Sequence, residues 1–178
     1  MHVFWKKGYE GTSMPDLTDA MGINRPSIYA TFGNKEELYR KALQRYSDKS
    51  TAFFRECLDA PTVREGLERF FCGSADAYAC KERPRGCMAV QGALVGSDDA
   101  EGVCNEGKIQ REAIMEILQE RFERGVAEGD LPKDTDAHAL ARFYVAILQG
   151  MSVQSASGVS CADLKSIAYQ ALAALPKA

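Results

Sequence analysis

Residues 11 to 35, GTSMPDLTDAMGINRPSIYATFGNK, constrain this chain more than any other stretch, because they start and stop helices at short, regular intervals. Ser13 followed three residues later by Asp16 is a capping-box-like start with Asp in place of the usual Glu or Gln, and Pro15 is tolerated in a first turn whose amides lack intrahelical partners. Leu17, Ala20 and Met21 supply an apolar face for about two turns, and Gly22 ends the run as the residue that most easily takes a left-handed cap. Ile23 is expected to tuck under the turn. Asn24 then caps a second short helix, Arg25 to about Thr31, with Pro26 in its first turn and Ile28 and Phe32 facing inward. A third helix opens at Asn34, with Glu37 placed to reach back to it.

Two short helices joined by a glycine turn form the helix-turn-helix layout, whose second helix enters the major groove of DNA. At or near its outer face stand Arg25, Pro26, Ser27, Tyr29, Ala30 and Thr31, and Lys35 begins the third helix where a phosphate can lie. These residues suit that partner. Arg and Lys neutralise phosphates, Ser, Thr and Tyr donate hydrogen bonds to phosphates or base edges, and a small Ala permits close approach to the groove. A solvated helical hairpin would use many of the same residues, so the wider string has to decide.

The segment GYEGTSMPDLTDAMGINRPSIYATFGNKEELYRKAL closely resembles the DNA-binding domain of TetR-type (tetracycline repressor-like) transcriptional regulators, in both order and spacing of its G-Y-x-x-T-S and S-[hydrophobic]-Y-x-x-F-x-x-K-x-x-L positions. The resemblance implies recognition-helix contacts from Arg25, Pro26, Ser27, Tyr29, Ala30 and Thr31. It also implies phosphate contacts from Tyr29 and Lys35, and a backbone contact from Ser13. Members of that family begin with a full first helix, whereas this chain starts inside it. The expectation is a truncated first helix, with Phe4 and Trp5 packing on Leu17 and Ile28, and some loss of domain stability and phosphate contacts.

The fold expected is all-α: a three-helix helix-turn-helix domain over residues 1–45, and a helical effector-binding and dimerisation domain over 46–178. No apolar run reaches membrane-helix length and the N-terminus lacks a signal-peptide layout, so the expectation is a cytoplasmic protein. The net charge of −3 divides unevenly. Residues 1–50 hold eight Lys/Arg against six Asp/Glu, and the remainder holds fourteen against nineteen, so only the reader is positive. Two readers in a homodimer are needed to gather enough phosphate contacts for a palindromic double-stranded operator.

Beyond residue 50 the pattern is helix after helix without strand-like alternation. Leu38, Ala42, Tyr46, Phe53 and Cys57 mark a long helix ended by Pro61, and Val63 to Cys80 a further one. Cys87 to Val95 reads as short and apolar, Gly96 to Gly102 as a polar loop including Asp98 and Asp99, and Asn105 to Glu128 as a charged helix with Ile109, Ile114, Ile117, Leu118 and Val126 buried. The helix Asp136 to about Ser155 is apolar on more than one face, and the last, Cys161 to Leu175, repeats apolar residues at spacings of three and four. In the family this chain resembles, they pair with a second copy. The dimer interface expected comprises Leu140, Phe143, Ile147, Met151, Leu164, Ile167, Ala171 and Leu172.

An aromatic and Met-rich set, Phe70, Phe71, Tyr78, Met88, Gln91, Phe122, Phe143, Tyr144, Ile147 and Met151, fits either a pocket for a small apolar effector or a plain core. The resemblance implies the pocket, in a repressor released from DNA by its ligand. Six cysteines form no C-x-x-C pair and only two histidines are present, so no metal site and no cofactor are expected. Cys80 and Cys87 flank Lys81, Arg83 and Arg85, which makes them the redox candidates. No nucleotide loop or nucleophile elbow occurs, and the chain is not expected to be an enzyme. The competing reading is a DNA-independent helical ligand-binding or cysteine redox-sensing protein.

Overall fold

In a computed structural model, residues 1–91 and 100–178 are described, and all regular structure among them is helical: α1 His2–Lys7, α2 Met14–Met21, α3 Arg25–Phe32, α4 Lys35–Leu58, α5 Val63–Ala79, α6 Met88–Gln91, α7 Glu101–Glu128, α8 Ala137–Ala156 and α9 Cys161–Ala173. No helix among these residues is long and apolar enough to cross a membrane. Two compact units result, one from residues 1–49 and 87–111, the other from 50–86 and 112–178.

In the first unit, local chemistry sets the helix ends. Ser13 Oγ accepts from Asp16 N at 3.2 Å while Asp16 accepts from Ser13 N at 2.9 Å, a complete capping box. Asn24 Oδ1 accepts from Ser27 N at 2.9 Å, and Asn34 and Glu37 exchange bonds at 2.8 and 2.9 Å. The core is aromatic: Phe4 meets Tyr39 edge-on at 5.2 Å and Trp5 meets Tyr46 at 4.9 Å, above buried Leu17, Ile28, Leu38 and Leu43. Tyr39 and Tyr46 both lie on α4, while the other ring beside Trp5, His2 at 6.3 Å, is on α1 itself. Lys7 Nζ, 2.6 Å from Asp16 Oδ1, ties the end of α1 to the start of α2.

Two glycines between these short helices need their freedom. Gly22 has φ 65° and ψ 24°, the left-handed cap expected, with open space around a Cβ. Gly33 has φ 82° and ψ −142°, and a Cβ there would collide with the Glu37 carboxylate that caps α4. Gly33→Ala should destabilise this unit by about 1–3 kcal/mol, visible as a lowered urea midpoint, because strain and loss of the cap coincide.

The second unit is held by α5 against α8 and α9. Phe54, Phe70, Phe71, Tyr144 and Phe122 form an unbroken chain of rings with centroids 4.6 to 5.6 Å apart. Tyr144 donates its hydroxyl to Ala171 O at 3.0 Å, and burial pushes its pKa up to about 12. Ser155, fully buried, donates to Tyr78 O at 2.7 Å.

Several faces differ from expectation. Ala20 is exposed and Met21 and Ile23 are each 37 % exposed, because α2 is so short that Leu17 alone reaches the core. Ile109 is 51 % exposed rather than buried, and α7 begins at Glu101, passing through Gly102. The expected helix Cys87 to Val95 is seen as Met88–Gln91, and its remainder, with Asp98, Asp99 and the first part of the polar loop, falls outside the described residues.

Candidate nucleic-acid interface

Helix α3 turns on one residue. Ile28 is fully buried, and around it Arg25, Pro26, Tyr29, Ala30 and Thr31 are exposed while Ser27 is half-buried. With Ile28 fully buried and Ser27 and Phe32 half-buried, the rest of this eight-residue helix is left open to a partner. Ser13 at the α2 N-cap and Lys35 at the first residue of α4 belong to the same unit, so all eight residues predicted to touch DNA are gathered on three adjoining helix segments.

The cations of this surface are organised. Arg25 Nη2 donates to Tyr29 Oη at 3.0 Å, with its guanidinium carbon 5.5 Å from the ring centroid. Lys35 Nζ lies 4.5 Å from the centroid of Tyr9. Partial burial lowers the Lys35 pKa from its ordinary value, against a smaller upward pull from Glu10. Sequence reasoning passed over Tyr9, although its place in the Gly8-Tyr9 pair marked the position. The Asp16 carboxyl is held down at about 2, first by the hydrogen bond from Lys7 and then by those from Ser13. A depressed acid contributes fully above its unfolded value near 4 and loses that contribution as pH falls toward 2. A carboxyl NMR titration should place the Asp16 midpoint near 2, and Lys7→Met should raise it toward about 4.

An α3 with one buried residue, a tight glycine turn before it and phosphate-competent groups at flanking helix starts is the arrangement the motif required. Residues 1–42 match the family described as "Bacterial regulatory proteins, tetR family", and residues 63–157 match "Tetracyclin repressor-like, C-terminal domain". The chain belongs to the TetR family of transcriptional regulators. Among relatives, it is 34% identical to the HTH-type transcriptional repressor ComR of Escherichia coli K12, over 99% of this chain and 85% of ComR. It is 32% identical to the HTH-type transcriptional regulator YezE of Bacillus subtilis 168, over 80% of this chain and 75% of YezE. Among solved structures it is similar to a cysteine mutant of the TetR family regulator CifR complexed with 26-base-pair double-strand operator DNA, at 40% identity and a TM-score of 0.96, covering 98% of this chain and 92% of that one.

The other predicted TetR-family residues are distributed unequally. Phe70, Phe71, Tyr78, Phe122, Tyr144 and Met151 are buried in the second unit, where the rings touch one another, and Phe143 is 44 % exposed beside Tyr144. Ile147 is half-buried, and Met88 and Gln91 belong to the first unit. A cleft of about 470 Å³ in the second unit is lined instead by Arg55, Leu58, Asp59, Ile117, Arg121 and Arg124 among others. Of the predicted interface, Met151, Leu164, Ala171 and Leu172 are covered within the chain, whereas Phe143 is exposed and Leu140, Ile147 and Ile167 are half-buried. Cys80 and Cys87 fall in different units, Cys87 buried and Cys80 half-buried at the end of α5. Cys161 donates to Asp76 at 3.1 Å, and burial followed by that bond raises its pKa. Among the described residues, no group of three His, Cys, Asp or Glu side chains could hold a metal.

Proposed function

We propose that the chain is a homodimeric, ligand-responsive repressor that binds a palindromic operator through α3 and acts in the cytoplasm, where the chromosome lies. The observation that carries this reading is the exposed set Arg25, Pro26, Tyr29, Ala30 and Thr31 around the single buried anchor Ile28. Its likeness to CifR, solved with operator DNA, supports the same surface as the one that meets the groove. Ser13, Ser27 and Lys35 are assigned to phosphate and edge contacts around it. Residues 1–45 serve as the reader and 46–178 as the body.

Dimerisation is assigned to α8 and α9. Phe143 and Val153 are 44 and 50 % exposed on α8, and an apolar helix face of this kind calls for cover. The effector is a small apolar molecule admitted among the aromatic side chains of the body, favouring a state whose reader spacing no longer matches the operator.

Salt titration tests the DNA reading directly. Binding to a duplex that the chain itself selects from a random pool should weaken linearly in log–log form, with a slope of about −0.9 for each phosphate neutralised. Binding without salt dependence, or none at all, contradicts it.

A further inference from the structure

We infer that Tyr9 is a positioning residue that holds Lys35 ready for a DNA phosphate, an inference that rests on the DNA-binding reading above. Among the described residues many cations are neutralised by carboxylates, Lys7 by Asp16, Arg40 by Glu36, Arg55 by Glu120, Arg124 by Asp59, Arg142 by Glu112 and Lys165 by Asp76, at 2.6 to 3.4 Å, and Arg64, Arg85 and Arg111 are held by backbone carbonyls. Arg25 and Lys35 are treated differently. Among the described residues neither forms an ion pair within 4 Å, and each is held against a tyrosine; Lys41 stands more loosely by Phe32, at 5.9 Å, and Glu10 also pulls on Lys35 through its charge. A carboxylate would cancel the charge and occupy the donors. An aromatic face attracts the cation through its quadrupole and leaves the three N–H groups of Lys35 available.

The ring that holds Lys35 is itself anchored. Tyr9 meets Tyr39 edge-on at 5.4 Å, and Tyr39, fully buried, meets Phe4 at 5.2 Å, so the lysine is linked through three rings to the core of its unit. Partial burial has already removed some water from the ammonium. Part of the ordering and dehydration that a free surface lysine undergoes on binding is therefore complete beforehand, which is how preorganisation raises affinity without an added contact.

A double-mutant cycle on the full chain tests this, read by fluorescence anisotropy against a duplex the wild type selects from a random pool. Tyr9→Leu should weaken binding roughly five- to thirtyfold for two readers, whereas Tyr9→Phe and Tyr9→Trp, which keep an aromatic face, should stay within about twofold of wild type. In a Lys35→Gln background the same Tyr9→Leu change should alter affinity by less than about twofold, because the group it positions is gone. Equal losses in both backgrounds would make Tyr9 a core residue only and overturn the inference, as would a Phe variant as weak as the Leu variant. Absence of salt-dependent binding by the wild type would instead overturn the DNA-binding reading itself.

Discussion

Tyr29→Ala combined with Lys35→Ala should lower operator affinity by more than roughly a hundredfold, while oligomeric state and unfolding midpoint stay at wild-type values. The size follows from what the pair organises. Tyr29 is 43 % exposed and also accepts the Arg25 hydrogen bond at 3.0 Å, so its loss would remove the proposed phosphate donor and release the guanidinium assigned to the groove. Loss of Lys35 would remove the second proposed phosphate contact, and a dimer suffers each loss twice. Neither side chain is fully buried, which is why stability should hold. Anisotropy, sedimentation and thermal melts on the same preparation check all three statements; unchanged affinity would refute the assigned surface.

Phe71→Ala should destabilise the second unit by about 3–5 kcal/mol, a large share of the 5–15 kcal/mol that holds a typical domain. Phe71 is fully buried, with ring neighbours Phe70 at 5.0 Å and Tyr144 at 5.6 Å, so truncation leaves a cavity in the middle of the aromatic chain. The measurement also bears on the effector reading. If Phe71 bordered a space already open for a ligand, its removal would enlarge that space at little cost, and urea unfolding would move by less than about 1 kcal/mol.

The reader was legible because its signals are local. Ser13 with Asp16, Asn24 with Ser27, Gly22, and Asn34 with Glu37 act within three or four residues, and each cap forms as the spacing required. Facing was less legible where helices are short. On α2, spacing alone placed Leu17, Ala20 and Met21 together, yet only Leu17 is covered, since contact depends on what another helix brings to that face. Ile109 shows the same limit on a long helix: its apolar character gave no clue that half of it would stay exposed.

The body was legible as a succession of helices but not as a site. Phe70, Phe71, Phe122 and Tyr144 come from three helices, and composition is equally consistent with a ligand lining or a core. Their mutual ring contacts are a property of packing.

By itself, then, the sequence determined the all-helical class, the cap-by-cap layout of the reader and its TetR-family character, because capping and glycine turns act over a few residues. Tertiary structure alone decided which apolar residues are buried and which are left for a partner. It also decided that Lys35 rests on Tyr9, an arrangement linking residues 26 positions apart that no local rule encodes. Burial and cation–aromatic contact depend on distances between segments, and those exist only once the chain has folded.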